Sequence, residues 1–258
     1  MRVLFIGDII GRPGRQAVEK HIQNLKKQYS IDYVIANAEN AAGGFGITQE
    51  ISAGLFMIGC DGLTLGNHIY DQVDAETLLE VNPLVARPAN LPPGNPGRQW
   101  IMIDGAAGPL AVINLMGRVF MSPIDCPFRV CDSIIEEVSR FTKCIFVDFH
   151  AEATSEKQAL GIYLDGRVSA VVGTHTHVMT ADERVLPGGT GYLTDVGMTG
   201  PFYSIIGMKQ EGPLAKFLTQ KRKRFDVATE DVRLCAVVCD IDSQSGKCRS
   251  IERIMVAL

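Results

Sequence analysis

Apolar runs of three to six residues recur along the chain, and several are separated by amphipathic segments. Each run is short and ends at polar or glycine-rich sequence, which is typical of a buried strand. Residues 13–29 instead place Val18, Ile22 and Leu25 on one face behind Pro13, which predicts a helix. Residues 49–58 and 132–141 read similarly. The predicted strands are residues 3–6, 33–36, 62–65, 110–115, 144–149, 170–172 and 191–194.

The last third of the chain changes character and reads as mostly strand. Residues 227–232 and 234–241 have the pattern of antiparallel strands, and residues 242–246 form a turn before a final strand at 250–256. Residues 90–96, with three prolines and one glycine, predict a loop. The order is therefore βαβαβ first and mostly β later. We predict a mixed α/β fold with two packed sheets flanked by helices, in a single domain spanning residues 1–258.

Composition and charge narrow the classes of function. The chain has 258 residues, is 46% hydrophobic and has a net charge of −4, so it offers no broad cationic surface for a polynucleotide. An RNA contact therefore has no support from charge, and the basic run at residues 221–224 is more typical of a solvated surface. The chain has no apolar run of 18 residues, and its seven cysteines include no CxxC pair. These features predict a cytoplasmic protein with reduced thiols and no membrane segment.

Polar side chains follow several predicted strands. Asp8 ends the first strand, Glu39 and Asn40 follow the second, and Asn67 and His68 follow the third. Open sheets bind ligands at such strand ends, although a lone Asp or Asn there is also typical of a turn. These residues are therefore candidates for a binding site or for turn formation.

Histidines supply the second part of the pattern. His150 follows an apolar run, and His175 and His177 follow another; in an extended backbone, residues two apart point to the same face. Four of the five histidines thus lie at predicted strand ends beside carboxylate and amide oxygens, which favours a metal site over separate structural roles. Oxygen and imidazole ligands without thiolate favour iron, manganese or zinc. Seven ligand candidates exceed the needs of one tetrahedral ion, so two ions about 3.5–4 Å apart are predicted.

These motifs resemble those of the calcineurin-like metallophosphoesterases, in which an Asp follows the first strand, GNH follows a middle strand and GHxH comes late. The match is closest to one branch, the YmdB-type bacterial phosphodiesterases, over nearly the whole chain. That resemblance implies a four-layer αββα sandwich, phosphodiester hydrolysis that includes cyclic nucleotides, and iron or manganese as the ions. The segments that carry it are LFIGDIIGRPGR, NAENAAGGFGIT, GNHIYD, RPANLPPG and DFHAEATSEKQALGIYLDGRVSAVVGTHTHVMTADERVLPGGTGYLTDVGMTGP.

The chain departs from the superfamily at three motifs. The usual DxH reads Asp8-Ile9-Ile10, and the usual GDxxD is replaced by Ala38-Glu39-Asn40, so Asn40 and Glu39 take those places by resemblance. The acidic residue that directly follows GNH is missing; Asp71 could reach His68, but we assign it no role. The resemblance then implies the following ligands: Asp8, Glu39, Asn40 and His177 for one metal, and Glu39, Asn67, His150 and His175 for the other.

The leading hypothesis is hydrolysis of a small phosphodiester, probed best with 2′,3′- and 3′,5′-cyclic nucleotides. A metal-bridging hydroxide would attack phosphorus while His68 protonates the leaving oxygen. A two-metal amidohydrolase is a second hypothesis, because that class of enzyme also uses an HxH motif. Its HxH ordinarily belongs to the first strand of a barrel, however, whereas here the motif begins at position 175. A third is a regulatory metal-binding protein that acts through protein or RNA partners. A homo-oligomer is also predicted.

Overall fold

The predicted alternation of strands and helices is present in a computed structural model, which describes residues 1–221 and 223–258. Arg222, part of the basic run at 221–224, lies outside the described residues. The helices are α1 (Gly11–Tyr29), α2 (Gln49–Ile58), α3 (Ala75–Val81), α4 (Pro127–Val138), α5 (Thr154–Tyr163) and α6 (Glu211–Thr219). The strands are β1 (Arg2–Ile6), β2 (Tyr33–Asn37), β3 (Gly62–Thr64), β4 (Val85–Ala86), β5 (Trp100–Ile103), β6 (Leu110–Met116), β7 (Ile145–His150), β8 (Ala170–Thr174), β9 (Arg184–Val185), β10 (Gly191–Leu193), β11 (Gly200–Pro201), β12 (Val232–Ile241) and β13 (Cys248–Ala257).

The strands form two mixed sheets. The first has the order β11-β12-β1-β2-β3-β4, with β13 also paired to β12, and the second has the order β5-β6-β7-β8-β10-β9. Strands β1 to β4 are parallel to one another, as are β6, β7 and β8. The carboxyl ends of the parallel strands therefore lie together at one edge of each sheet, where open α/β sheets bind ligands.

Side-chain alternation along the strands builds three apolar layers. In β1, Leu4 and Ile6 pack towards the side of α1 and α2, whereas Phe5 packs between the sheets against Phe146. A third cluster joins the second sheet to α4 and α5. The order is thus helices, sheet, sheet, helices, and the predicted four-layer αββα sandwich is confirmed.

The structure corrects several predicted elements. Residues 227–232 are not a strand: Val227 forms only an isolated bridge with Met208, and Asp231 has a φ of 50°, which interrupts extended backbone before β12 begins. The final strand is longer than predicted, whereas the loop at 90–96 and the turn at 242–246 are confirmed. Strands β4, β5, β9 and β11 and helices α3, α5 and α6 were not predicted, and the helix predicted at 132–141 begins and ends earlier, as α4. Among the described residues, no helix has the length and apolar character needed to cross a membrane.

The core between the sheets gives a test of the sandwich. Phe5 and Phe146 are fully buried and stacked, with ring centroids 5.4 Å apart. We expect Phe146→Ala to lower the free energy of unfolding by about 3–5 kcal/mol, because it removes buried apolar surface and leaves a cavity. Urea unfolding measures the change. Phe141→Ala, at a side chain that is 64% exposed, is the control, and an equal loss there would contradict the assignment.

Candidate metal centre

The predicted site side chains lie at the carboxyl ends of parallel strands in both sheets. The first sheet contributes those that follow β1, β2 and β3, and the second contributes those at the ends of β7 and β8. Because the two sheets pack face to face, these two edges bring the side chains together. In chain order they are Asp8, Glu39, Asn40, Asn67, His68, His150, His175 and His177.

Two groups of potential metal-ligand atoms share one carboxylate. The first group is Glu39, His150 and His175, the second is Asp8, Glu39 and His177, and the ligand atoms within each lie within 4.8 Å of one another. In the first group, His150 Nε2 lies 3.1 Å from Glu39 Oε1 and 3.0 Å from His175 Nδ1. Glu39 is therefore placed to contact a cation in each group.

Two further observations fit cations at this position. Asp8 is fully buried, and its Oδ1 has no hydrogen-bond partner among the described residues, although it lies 3.9 Å from both His150 Nδ1 and His177 Nε2. A Cβ atom placed on Gly66 would collide with Glu39 Oε2 and with His150 Nε2. Gly66 thus keeps open the space between the two side chains, and the orphaned carboxylate oxygen suits a positive ligand.

The hydrogen-bond network selects the nitrogen that His150 directs at this space. Thr174 Oγ1 donates to Asp148 Oδ1 at 2.8 Å, which uses its only proton. The same oxygen therefore accepts from His150 Nδ1 at 2.9 Å. The Nε2 atom of His150 is left to face Glu39 and Asn67, as a metal ligand must.

Acceptor groups hold the other two imidazoles in the same way. His177 Nδ1 donates to the carbonyl oxygen of Ile206 at 2.9 Å, which leaves Nε2 towards Asp8. His175 Nε2 lies 3.1 Å from the carboxylate of Glu152, which leaves Nδ1 towards His150. Each imidazole thus directs its other nitrogen at the shared space. Glu152 was not among the predicted site residues, and its position two residues after His150 was the available signal.

The charges in the site depend on one another. Burial alone would raise the pKa of Glu39, but the adjacent His150 lowers it to about 2; burial alone would lower the pKa of His150, but Glu39 raises it to about 9. Burial raises the pKa of Asp8 and raises that of Asp148 to about 6. Burial also lowers the pKa of His175 to about 3, so this imidazole is neutral at neutral pH. Among these carboxylates, Glu39 is therefore stabilised in its charged form by adjacent positive charge, whereas burial disfavours the charged forms of Asp8 and Asp148.

The route by which His175 and His177 reach the site differs from the prediction. They do not lie in extended backbone, because β8 ends at Thr174 and their φ values are 98° and 65°. Positive φ is uncommon for residues other than glycine and is associated with functional sites. The HxH pair is thus brought together by a strained turn, and each histidine belongs to a different ligand group.

The two asparagines face the site differently. Asn67 directs Oδ1 at His150 Nε2, 2.9 Å away, as a ligand oxygen would. Asn40 directs its amide nitrogen at Glu39 Oε1 and at His177 Nε2, at 2.9 and 3.2 Å. For Asn40 to bind a cation through Oδ1, its amide must rotate about the Cβ–Cγ bond.

His68 belongs to neither ligand group. Its Nδ1 lies 2.7 Å from Asp71 Oδ2, its ring makes an edge contact with Phe45, and its backbone N–H donates to Glu39 Oε2. The ring is half-buried, so it can meet a ligand from solvent. Asp71, to which we assigned no role, therefore orients His68 through the turn that follows β3.

A buried ion pair anchors the turn that carries the two late histidines. Lys157 Nζ donates to Asp195 Oδ2 at 2.6 Å and to the carbonyl oxygen of Thr174 at 2.8 Å, and both charged side chains are 1% exposed. Asp195 Oδ2 also accepts from the backbone N–H and the hydroxyl of Thr176. The pair thus binds the residues on either side of His175. The sequence offered no signal for it, because 38 positions separate the partners.

The chain matches a model of the YmdB-like protein family over residues 4–254. It belongs to the YmdB-like family. A relative from Bacillus subtilis (strain 168), named a 2′,3′-cyclic-nucleotide 2′-phosphodiesterase, is 50% identical over 256 residues, which are 99% of this chain and 97% of the relative. This confirms the resemblance inferred from the motifs and the predicted class of enzyme, a hydrolase of phosphoric diesters.

Solved structures of similar proteins have the same fold as this YmdB-like chain. A hypothetical protein from Thermus thermophilus is 44% identical, with a TM-score of 0.94 and coverage of 100% of this chain and 99% of the other. A protein from Mycoplasma pneumoniae, described as a novel phosphatase, is 33% identical, with a TM-score of 0.93 and coverage of 100% and 93%.

The Lys157–Asp195 pair generates a prediction for this YmdB-like protein. Lys157→Met should lower the free energy of unfolding by about 3–5 kcal/mol, because it leaves a buried carboxylate without its cation. Lys157→Met combined with Asp195→Asn should recover much of that stability. Both variants should bind metal more weakly than the wild type, because the turn holding His175 and His177 loses its anchor. Chemical unfolding and elemental analysis of the same samples measure both effects; wild-type metal content in both variants would contradict the anchoring role.

Proposed function

We propose that this protein is a phosphodiesterase with two metal ions that hydrolyses 2′,3′-cyclic nucleotides. The observation that carries the proposal is the pair of ligand groups joined at Glu39. Oδ1 of Asp8, which has no hydrogen-bond partner in residues 1–221 and 223–258, is directed into one of them. The substrate is inferred from the name of the Bacillus subtilis relative, which is 50% identical over 99% of this chain.

The proposed ligands divide between the two groups. One ion is held by Asp8, Glu39, Asn40 and His177. The other is held by Glu39, Asn67, His150 and His175. The geometry supports these assignments through Asn67 Oδ1 and through the imidazole nitrogens left free by Thr174, Glu152 and Ile206. A set of oxygen and nitrogen donors without sulfur favours iron or manganese, with zinc also compatible.

The chain's own residues orient the substrate and move one proton. Two bound ions would activate a water molecule and neutralise the charge of the phosphoryl oxygens. Asp71 holds the Nδ1 atom of His68, so Nε2 is the nitrogen that can meet the substrate. We infer that His68 gives its proton to the ribose oxygen that leaves phosphorus, as a general acid. Phe45 limits the rotation of that ring.

Several predictions about the whole protein accompany this proposal. The apolar cluster shared by the two sheets supports a single domain over residues 1–258. A cytoplasmic location, a homo-oligomeric state and an additional regulatory role through protein or RNA partners stay predictions.

Glu39 provides a test of the two-metal site. Purified protein should contain about two transition-metal ions per chain. Glu39→Gln should lower the occupancy of both positions, because it removes the charge that both cations would share. Elemental analysis of freshly purified protein measures the content. Asn40→Ala is the matched control, because it removes a neighbouring ligand of one position and should retain more metal. Wild-type metal affinity in Glu39→Gln would show that Glu39 does not bridge.

His68 provides a test of the proton transfer. His68→Ala should keep its metal content but lose about 10²–10⁴-fold in turnover of 2′,3′-cyclic nucleotides, the usual contribution of a general acid. The loss should be smaller on a nitrophenyl diester, whose acidic leaving group needs less protonation. Rates on both substrates and metal content are measured on one preparation.

Asp71→Asn is the companion variant, because it weakens the contact that orients His68 and leaves the imidazole in place. It should show a smaller loss with the same dependence on the leaving group. Loss of a metal ion in His68→Ala, or an equal loss of rate on both substrates, would contradict the assignment of His68 as the acid.

A further inference from the structure

A cavity that is separate from the metal-ligand groups lies beside β4, the edge strand of the first sheet. Its volume is about 690 Å³, and its lining includes Arg87, Arg98, Gln99, Trp100 and Glu137. Arg87 directly follows β4, the edge strand, and Trp100 begins β5 of the second sheet. None of the side chains assigned to metal binding or proton transfer lines this cavity.

Arg87 is a buried cation whose hydrogen-bonding capacity is only partly used. It is 5% exposed and forms no ion pair within residues 1–221 and 223–258. Its Nη1 donates to the carbonyl oxygens of Pro88 and Ala89, whereas its buried Nε has no partner among the same residues. A guanidinium has five N–H donors, and a buried charge without a counter-ion is costly. This side chain therefore favours an anion as its partner.

The backbone places a second guanidinium at the same cavity. The N–H of Arg87 donates to the carbonyl oxygen of Arg98 at 2.9 Å, and Ala86 forms a bridge with Arg98. Arg98 is exposed, so its side chain can reach a ligand entering from solvent. Two arginines outweigh Glu137, the one carboxylate among the lining residues, in a chain whose net charge is −4. The cavity is thus a local concentration of positive charge on an acidic protein.

The chemistry of the lining indicates the class of ligand. Guanidinium groups match the geometry of phosphate oxygens and can bind them with paired hydrogen bonds. Trp100 is half-buried and adds an aromatic ring, on which a base can stack. A cavity of about 690 Å³ exceeds what a lone phosphate needs.

We propose that this cavity is a nucleotide site separate from the metal centre, in which Arg87 and Arg98 bind a phosphate group and Trp100 stacks on the attached base. The site does not depend on the proposed catalytic function, because its lining and the metal-ligand groups share no residue.

Trp100 makes the site directly testable, because it is the only tryptophan in the chain. Purified protein is titrated with inorganic phosphate and, separately, with adenosine 5′-monophosphate, while tryptophan fluorescence is recorded. We expect a saturable change with each and tighter binding of the nucleotide. Arg98→Ala should weaken both by about tenfold, the usual worth of a charged hydrogen bond. Arg87→Met should abolish the response, and thermal unfolding checks that this buried variant is folded.

Two control variants separate this site from others. Arg249→Ala removes an exposed arginine on β13, at the opposite end of the first sheet from β4, and should leave the titrations unchanged. Asn67→Ala alters the metal centre and should also keep the Trp100 response. The proposal is overturned if neither anion gives a saturable response. It is also overturned if Asn67→Ala loses the response while Arg98→Ala keeps it, or if phosphate and the nucleotide bind equally well.

Discussion

The carboxylate of Glu39 lies buried where the edges of two sheets meet, and in that position it requires positive charge beside it. His150 supplies part of that charge and holds the pKa of Glu39 at about 2 against the effect of burial. Gly66 keeps the space between the two side chains clear, since any larger residue would place its Cβ against both. The αββα sandwich brings these groups together, because Glu39 follows a strand of the first sheet and His150 ends a strand of the second.

The orientation of the imidazoles depends on groups outside the ligand set. The carbonyl oxygen of Ile206 and the carboxylate of Glu152 can only accept hydrogen bonds. The hydroxyl of Thr174 already donates its proton to Asp148, so it too accepts from the histidine beside it. Each histidine is therefore held with a single nitrogen available, which is the arrangement that metal binding requires. The polar residue inside the apolar run of β7 thus has a structural explanation: buried Asp148 accepts from Thr64, Thr174 and Asn37 and orients His150 through Thr174.

Two buried cations, Lys157 and Arg87, differ in the partners that compensate their charge. Lys157 donates to Asp195 and to the carbonyl oxygen of Thr174, and Asp195 accepts from the N–H of Thr176, so the charge of Lys157 is compensated and the pair anchors the turn of His175. Arg87 meets only two carbonyl oxygens among the described residues, beside a cavity open to solvent. Burying a charge is costly in both places. For Lys157 a buried carboxylate offsets that cost, whereas Arg87 keeps N–H donors that no group among the described residues accepts from.

The sequence by itself determined the residue types of the candidate metal centre, the strands that precede them and the family, because short apolar runs and polar strand ends are local patterns. It also indicated the two-sheet sandwich. The strand predicted at residues 227–232 was wrong, because the positive φ of Asp231 interrupts a run that has strand composition. Only the tertiary structure decided which ligands form each group, which nitrogen each histidine presents, and that Asp71, Glu152 and Lys157 hold them. Those contacts join different strands and turns, and the Lys157–Asp195 pair spans 38 positions, so they depend on packing and not on local periodicity.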